Sequence, residues 1–301
     1  MNQAPRAASL EAKLQTLTVC PHCHVSLDWS LEELVCASCG DDFPRVAGTP
    51  LLLSSSNVFR ESIITGSSRT GKKSLASRLY AMRPDERLWS KGAIQTIHSS
   101  LEWAVRRPDP TIINIGAGFE QVFEEAFKPY EPVLRVGIPH RGGVDLYGDL
   151  TALPLANSSV DLLFCSSVLE HVSAPAKAME EIARVLRPRG RAYIEIPFIR
   201  AYHMAPHDFQ RYTPAGMRVL LQSAGLNVAA EGISSGPFTA LALLVRDLCV
   251  ALAPRGLGVS YALSWLLQPL KHVDRLLDQR EWAAACACNL FCLAEKPTTG
   301  T

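Results

Sequence analysis

Residues 111–118 read TIINIGAG, and residues 148–172 read GDLTALPLANSSVDLLFCSSVLEHV. The first is a β-branched run, 111–115, that stops at Gly116 and Gly118, as a buried parallel strand does where it turns sharply into a helix. Glycine suits that turn because it reaches backbone angles closed to other residues and, lacking Cβ, lets a ligand approach the main chain. A third glycine at 121 would complete the dinucleotide fingerprint G-x-G-x-x-G, but Gln121 stands there, which argues against a nicotinamide cofactor. Working outward, 132–138 (PVLRVGI) reads as a second strand and 160–164 as a later, apolar one. A helix is expected over 175–186, with Ala178, Ile182, Val185 and Leu186 at helical spacing. Pro188, Arg189 and Gly190 stop it before a strand at 191–197 (RAYIEIP).

The ordered set G-x-G, GD-x-x-x-LP, VLEHV, RVLRP-x-G and strand resembles the class I S-adenosylmethionine-dependent methyltransferases, in particular the methyltransferase type 11 group, over about residues 110–230. The resemblance implies an α/β fold: a Rossmann-like, mostly parallel sheet with an antiparallel last strand, and S-adenosylmethionine as cofactor. It places Asn114, Gly116 and Gly118 against the methionine and ribose end of that cofactor, and Asp149 and Leu150 against its adenine. Ser166 and the Glu170-His171 pair would lie beyond the carboxyl end of strand four, where open sheets bind ligands. Two positions depart from the family. The acid that holds the ribose hydroxyls at the end of strand two is replaced by Gly137, and the third glycine of G-x-G-x-G by Glu120. Losing a charge-assisted hydrogen bond of ~1.5–3 kcal/mol weakens binding roughly tenfold to a hundredfold. Glu120 is a stand-in for the missing acid or a solvated first-turn acid favoured by the helix dipole.

The chain has 301 residues, 48% hydrophobic and 20% charged, with a net charge of +1. That is a soluble composition, sufficient for one large and one small domain, and its balance exerts no global pull towards nucleic acid or anionic membrane. The first nineteen residues mix Arg6, Glu11 and Lys13 with no apolar run, so no secretory signal is read there and a cytoplasmic location is expected. Nine cysteines in a reducing compartment favour metal binding over disulfides.

Four of them, Cys20, Cys23, Cys36 and Cys39, form two C-x-x-C knuckles separated by twelve residues. Each knuckle aims two thiolates at one point, and four thiolates make a closed tetrahedral site with no open position, so the expected zinc is structural. His22 and His24 flank the first knuckle as exposed loop residues. Residues 40–53 (GDDFPRVAGTPLLL) extend the pattern into an aromatic-Pro pair and G-x-P before an apolar end. This resembles the small zinc-ribbon family that serves as activator subunit for several methyltransferases. The resemblance implies a module, here fused in front, that binds and stabilises the catalytic domain; the competing role for a ribbon is RNA recognition. The organisation is then a ribbon at 15–55, a linker with N-terminal helices at 56–108, and a methyltransferase domain at 109–297.

Before the ribbon, one short helix is expected in residues 1–17. In the linker, helices are expected at 74–82 and 88–105. Residues 66–74 (GSSRTGKKS) approach a phosphate-binding loop, but Lys73 stands where Ser or Thr must follow the first lysine, so a solvated linker is the better reading. Past the fifth strand, 198–214 (FIRAYHMAPHDFQRYTP) gathers His203, His207, Asp208, Arg211 and Tyr212 in a loop at the functional edge. HDFQRYTPAGMRVLL resembles a pattern in methyltransferases of bacterial envelope-polysaccharide and natural-product clusters. Equally, Asp208 and Arg211 would form a structural ion pair and Thr213 cap a helix at Pro214. Residues 219–228 complete a helix, a glycine and a strand, and 283–293 (AAACACNLFCL) reads as the last strand, burying Cys286, Cys288 and Cys292. Between them, 236–282 is an apolar insertion whose uncharged runs fall short of the ~20 residues a spanning helix needs. A helical lid or homodimer contact is the first expectation, and a peripheral membrane contact serving a lipid-linked substrate the second.

Methyl transfer is an in-line displacement at an already activated carbon, so the protein mainly aligns the nucleophile and excludes water. A base is needed when the acceptor is a hydroxyl, and His207, His203 and His171 are the candidates. The Asn/Asp-Pro-Pro-Tyr element of amino-group methyltransferases is absent: Cys165, Ser166, Ser167 and Val168 stand there. This favours O- or C-methylation of a small molecule or sugar-type acceptor. The alternatives are an inactive methyltransferase-like scaffold and a ribbon-guided RNA methyltransferase.

Overall fold

The computed structural model describes residues 3–30, 32–65, 87–116, 121–138, 143–252, 257–277 and 280–298. Gly118, Glu120, the helix expected at 74–82 and the lysine-rich stretch at 66–74 lie outside them. The chain opens with α1 (Gln3–Leu17), a longer helix than the short one expected. It is held because Leu14 and Leu17 are buried on the ribbon side of the core. Strands β1 (Asp28–Trp29), β2 (Glu33–Val35), β3 (Asp42–Val46) and β4 (Thr49–Leu52) then pair successively antiparallel.

After α2 (Arg60–Ile64) and α3 (Lys91–Val105) the α/β part begins. Helix α3 starts three residues later than expected, where the Ser90 hydroxyl accepts the Ala93 N–H at 3.0 Å as its N-cap. There follow β5 (Ile112–Ile115), α4 (Gln121–Phe127), β6 (Leu134–Gly137), β7 (Leu146–Gly148), β8 (Val160–Ser166), α5 (Pro175–Val185), β9 (Leu186–Pro197), α6 (Pro214–Ser223) and β10 (Asn227–Ser235). The insertion is helical, α7 (Pro237–Leu252), α8 (Leu257–Leu266) and α9 (Gln268–Lys271), and β11 (Asn289–Glu295) closes the fold. Among the described residues no helix is long and apolar enough to cross a membrane.

The strands form one sheet in the order β1-β2-β3-β4-β7-β6-β5-β8-β9-β11-β10. From β4 to β9 every neighbour is parallel; β11 enters antiparallel between β9 and β10. This is a Rossmann-like sheet, mostly parallel with an antiparallel last strand as expected, extended at one edge by β1–β3. Leu51 pairs with Tyr147 and Leu52 with Gly148, so β4 belongs to both parts.

Strands buried on both faces must be largely apolar, and β5 and β8 are, apart from Asn114, Asp161 and Ser166. Along β8, Leu162 and Phe164 face α3 and α4 while Leu163 and Cys165 face α5. The α3/α4 face carries an aromatic cluster in which Phe164 lies 5.0 Å from Phe127 and 5.9 Å from Tyr193. Asp161, 1% exposed, fastens the opposite ends of these strands. It accepts hydrogen bonds from Arg107 Nε at 2.7 Å, from the Thr111 N–H at 2.9 Å and from Arg187.

Two expectations need correction. Strand β11 begins at Asn289, because residues 281–286 wind into a 3-10 helix; Cys288 and Cys292 are buried as expected, but Cys286 is exposed. Three successive alanines favour that turn over extended backbone. Strand β9 also starts early, at Leu186 directly after α5, with Pro188 to Gly190 absorbed as an irregularity in its pairing with β8.

Candidate active site

Strands β7, β6, β5, β8 and β9 all end on one edge of the sheet. From β5 the chain moves outward through β6 and β7, then returns to the other side of β5 as β8, so the crevice beyond β5 and β8 is a topological switch point. The register sets Ile115 beside Val136 and Cys165, and Ser166 beside Glu195. Gly116, Gly137, Ser166 and Glu195 therefore share this edge.

Asn114 is 6% exposed, and its side chain makes no hydrogen bond with the described residues. Gly116 has a φ of +74° and donates its N–H to Val136 O at 2.9 Å; a Cβ there would lie 2.3 Å from Val168 Cγ2. Gly137 has a φ of +151°, and a Cβ on it would lie 3.0 Å from Gly116 N. The close approach of the β6 end to the glycine turn explains why no acidic side chain stands at 137. Asp149 follows β7 and is engaged within the protein: its carboxylate accepts the N–H and hydroxyl of Thr151, each at 2.8 Å, and Asn57 Nδ2 at 2.8 Å. Leu150 beside it is buried.

The Ser166 hydroxyl turns away from the crevice and donates to Glu195 Oε2 at 2.7 Å. Glu195, on β9, is fully buried and also accepts from Ser167, Ser234 and Arg87. A buried carboxylate needs such saturation. It was legible in principle as the lone acid in the apolar run RAYIEIP, yet sequence reasoning passed over it.

The loop 198–213 is stitched onto the turn after β8. The Phe209 N–H donates to Glu170 O at 2.8 Å, Gln210 Nε2 donates to Leu169 O and Val172 O, and His171 Nδ1 lies 2.5 Å from His207 O. Asp208 and Arg211 form a two-pronged ion pair at 2.6 and 2.8 Å, and the His203 N–H adds to Asp208 at 2.8 Å. Burial opposes the Asp208 charge, but these donors hold its carboxyl down at about 2. Thr213 caps α6, accepting the Gly216 N–H at 3.1 Å. The structural role weighed for Asp208, Arg211 and Thr213 is thus present in the fold.

Of the three candidate imidazoles, two converge. The His171 and His203 rings lie 5.2 Å apart, with Glu170 Oε1 3.7 Å from His171 Nε2 and 3.9 Å from His203 Nε2. Burial lowers His203 below the ordinary imidazole range. Glu170 is 0% exposed, neither of its carboxylate oxygens has a hydrogen-bond partner among the described residues, and burial pushes its carboxyl up to about 8. The His207 ring instead packs edge-on against Phe59 at 5.1 Å.

At the far end of the sheet the sulfurs of Cys20, Cys23, Cys36 and Cys39 all lie within 4.8 Å of one another, Cys20 and Cys39 at 3.7 Å. Zinc–sulfur bonds of about 2.3 Å imply sulfur separations of ~3.8 Å in a tetrahedron, so the four residues fit zinc. Backbone N–H groups of Cys39 and Ser38 hold the Cys36 thiol down at about 7. His22 contacts Asp41 at 2.6 Å, and His24 is exposed. The segment just after the ribbon reaches the candidate site through Asn57 on Asp149 and Phe59 on His207, contacts between distant segments that no local motif announces.

The family described as "Methyltransferase domain" matches residues 129–194. The chain is 35% identical over 99 residues to the malonyl-(acyl-carrier protein) O-methyltransferase of Methylococcus capsulatus, covering 28% of this chain and 36% of the relative. It is 29% identical over 122 residues to the ubiquinone biosynthesis O-methyltransferase of Cupriavidus pinatubonensis, covering 34% and 49%. Each match therefore spans less than half the relative's length. Among solved structures, the 1,6-didemethyltoxoflavin-N1-methyltransferase of Burkholderia thailandensis superposes over 88% of this chain and 99% of its own, with 13% identity and a TM-score of 0.42. The family match at residues 129–194 falls within the α/β part of the chain, from β6 to β9.

Proposed function

We propose that the protein is an S-adenosylmethionine-dependent methyltransferase acting on an oxygen or carbon of a small-molecule or sugar-type acceptor, with a structural zinc on Cys20, Cys23, Cys36 and Cys39. The observation that carries this reading is the meeting, at one sheet edge, of the Gly116 turn and unbonded Asn114 with the cluster of Glu170, His171 and His203. Oxygen is favoured by the two relatives named as O-methyltransferases.

Asn114 and the main chain at Gly116 would hold the cofactor's polar end, and Leu150 with Asp149 would border its adenine. When bound, the cofactor supplies a methyl group on a positively charged sulfur. The chain's own work is alignment. The Glu195 cage ties Ser166, Ser167, Ser234 and Arg87 together and fixes the turn behind the crevice. Gln210 fixes the acceptor loop to that turn. His171, His203 and His207 are the groups able to take an acceptor proton near neutral pH. The helical insertion, with Leu241, Leu244 and Leu248 exposed on α7, would serve as lid, homodimer contact or lipid-facing surface. Reduced zinc-binding thiols suit a cytoplasmic setting.

Calorimetric titration of the zinc-loaded protein with S-adenosylmethionine and its demethylated product tests the reading. Micromolar binding is expected, abolished in Gly116→Arg and weakened about tenfold in Asn114→Ala by the loss of one or two hydrogen bonds. No heat and no thermal stabilisation at millimolar ligand would overturn it in favour of a scaffold role.

A further inference from the structure

We propose that Glu170, His171 and His203 form a second metal centre, an open site for a divalent cation of the zinc, iron(II), manganese or cobalt class. The three ligand atoms lie within 4.8 Å of one another. Metal–nitrogen and metal–oxygen bonds of about 2.0–2.2 Å give ligand separations of ~3.4 Å in a tetrahedron. The observed 3.7 and 3.9 Å need to close by only a few tenths of an ångström.

The groups around the cluster prepare it for a cation. A metal-bound imidazole ordinarily donates its other ring N–H to a carbonyl or carboxylate, which fixes the tautomer. His171 Nδ1 faces His207 O at 2.5 Å; His203 Nδ1 faces Ala201 O at 3.1 Å and Asp208 Oδ2 at 3.4 Å. Arg211 Nη2 also lies 3.2 Å from His203 Nδ1, but its hydrogens are taken by the same two acceptors, at 3.1 and 2.8 Å. With protons on both Nδ1 atoms, both Nε2 lone pairs point to the Glu170 side. Glu170 is the uncommitted acid here: Glu195 is saturated by Arg87 and three hydroxyls, and Asp208 by Arg211. A fully buried carboxylate with neither oxygen bonded among the described residues is costly unless something of opposite charge joins it.

Two imidazoles and one carboxylate are the donor set of catalytic rather than structural metal sites, because positions on the cation stay open. In the methyltransferase reading, on which the role of the site rests, an open position takes the acceptor oxygen. A hydroxyl bound there loses its proton to solvent at lower pH than a free one, leaving the oxygen ready to attack. His171 and His203 then hold the cation instead of acting as bases.

The test uses the full chain with its ribbon already zinc-loaded, titrated with cobalt(II) and followed by calorimetry and visible absorption. One further cobalt is expected, showing weak ligand-field bands without the intense thiolate-to-metal band a cysteine site would give. Binding should weaken at least ~100-fold in Glu170→Gln and in His203→Gln, the second lying on a loop and keeping the test alive if the first misfolds. No cobalt beyond the ribbon's, or equal binding by both variants, overturns the site. S-adenosylmethionine titrated into the same samples should bind all of them alike. Cobalt binding without cofactor binding would uphold the metal centre and refute its role in methyl transfer; cofactor binding without cobalt would refute the centre alone.

Discussion

The two ligand clusters of this protein are assembled in opposite ways. Cys20, Cys23, Cys36 and Cys39 come from two knuckles of one small hairpin module, close in sequence and closed on themselves. Glu170, His171 and His203 come from the turn after β8 and the loop after β9, and are brought together by the hydrogen bonds of Phe209, Gln210 and His171. Four thiolates complete a coordination shell and can only hold the fold; three mixed ligands leave room for chemistry. The local cluster sits at the sheet's outer edge, the long-range one at the carboxyl edge where the loops meet. On the proposals above the closed site would serve stability and the open one function, and each can be cut separately.

The largest effect is expected at the closed cluster. Cys36→Ser removes one of the four thiolates that tie the two knuckles together beside Leu34 and Phe43. Structural zinc contributes on the order of 10 kcal/mol to modules of this kind. Amide exchange protection over β1–β4 should vanish, with that of β5 and β8 retained; protection persisting in the ribbon would erase the distinction between the two clusters. Next is Leu52→Ala, at the seam where β4 joins β7. Leu52 is fully buried in the same core as Ile113 and Leu134, so about 3 kcal/mol of global stability should be lost in denaturant titration. An unchanged transition would mean the ribbon is tethered rather than built in.

At the open cluster the corresponding cut is to a supporting group. Asp208→Asn weakens the pairing with Arg211 and the orientation of His203 while sparing every proposed metal ligand. Cobalt affinity should fall ~10-fold to 100-fold. Melting temperature should move less than in Leu52→Ala, since Asp208 lies in a loop outside the main core. A large stability loss with unchanged cobalt affinity would reduce Asp208 to a structural partner of Arg211.

The same contrast explains what could be read before the fold was known. The paired knuckles, the individual strands and the turn at Gly116 follow from local spacing and apolar runs, because C-x-x-C, G-x-G and β-branched stretches state their geometry within a few residues; the parallel order of the sheet and its antiparallel closure were expected from the resemblance to a family. The convergence of Glu170 with His203, 33 positions downstream, does not follow from local spacing, because it depends on how the loop after β9 folds back. Glu195 could have been suspected as an acid inside an apolar strand, but its four partners come from three separate segments. Cys286 misled because the Ala-Cys alternation imitates a strand, whereas the alanines before it wind into a 3-10 turn and the ladder begins only past Cys288, whose N–H donates to Ser235 O.

The smallest effect should separate the ribbon's two jobs. Asn57 Nδ2 donates to Asp149 Oδ2 at 2.8 Å, joining the segment after the ribbon to the loop expected to border the cofactor's adenine. Its Oδ1 meanwhile accepts the Phe59 N–H at 3.0 Å, which holds Phe59 towards His207. Asn57→Ala removes both bonds at about 1 kcal/mol each at most, with partial exposure softening the loss. If the ribbon only stabilises the sheet, melting temperature falls slightly and S-adenosylmethionine affinity stays put. If it also shapes the site, affinity falls about fivefold, and a double-mutant cycle with Asp149→Ala shows a coupling of ~0.5–1 kcal/mol in cofactor binding. Coupling in stability without coupling in binding would confine the closed cluster to the fold, and coupling in both would make the ribbon part of the active site's wall.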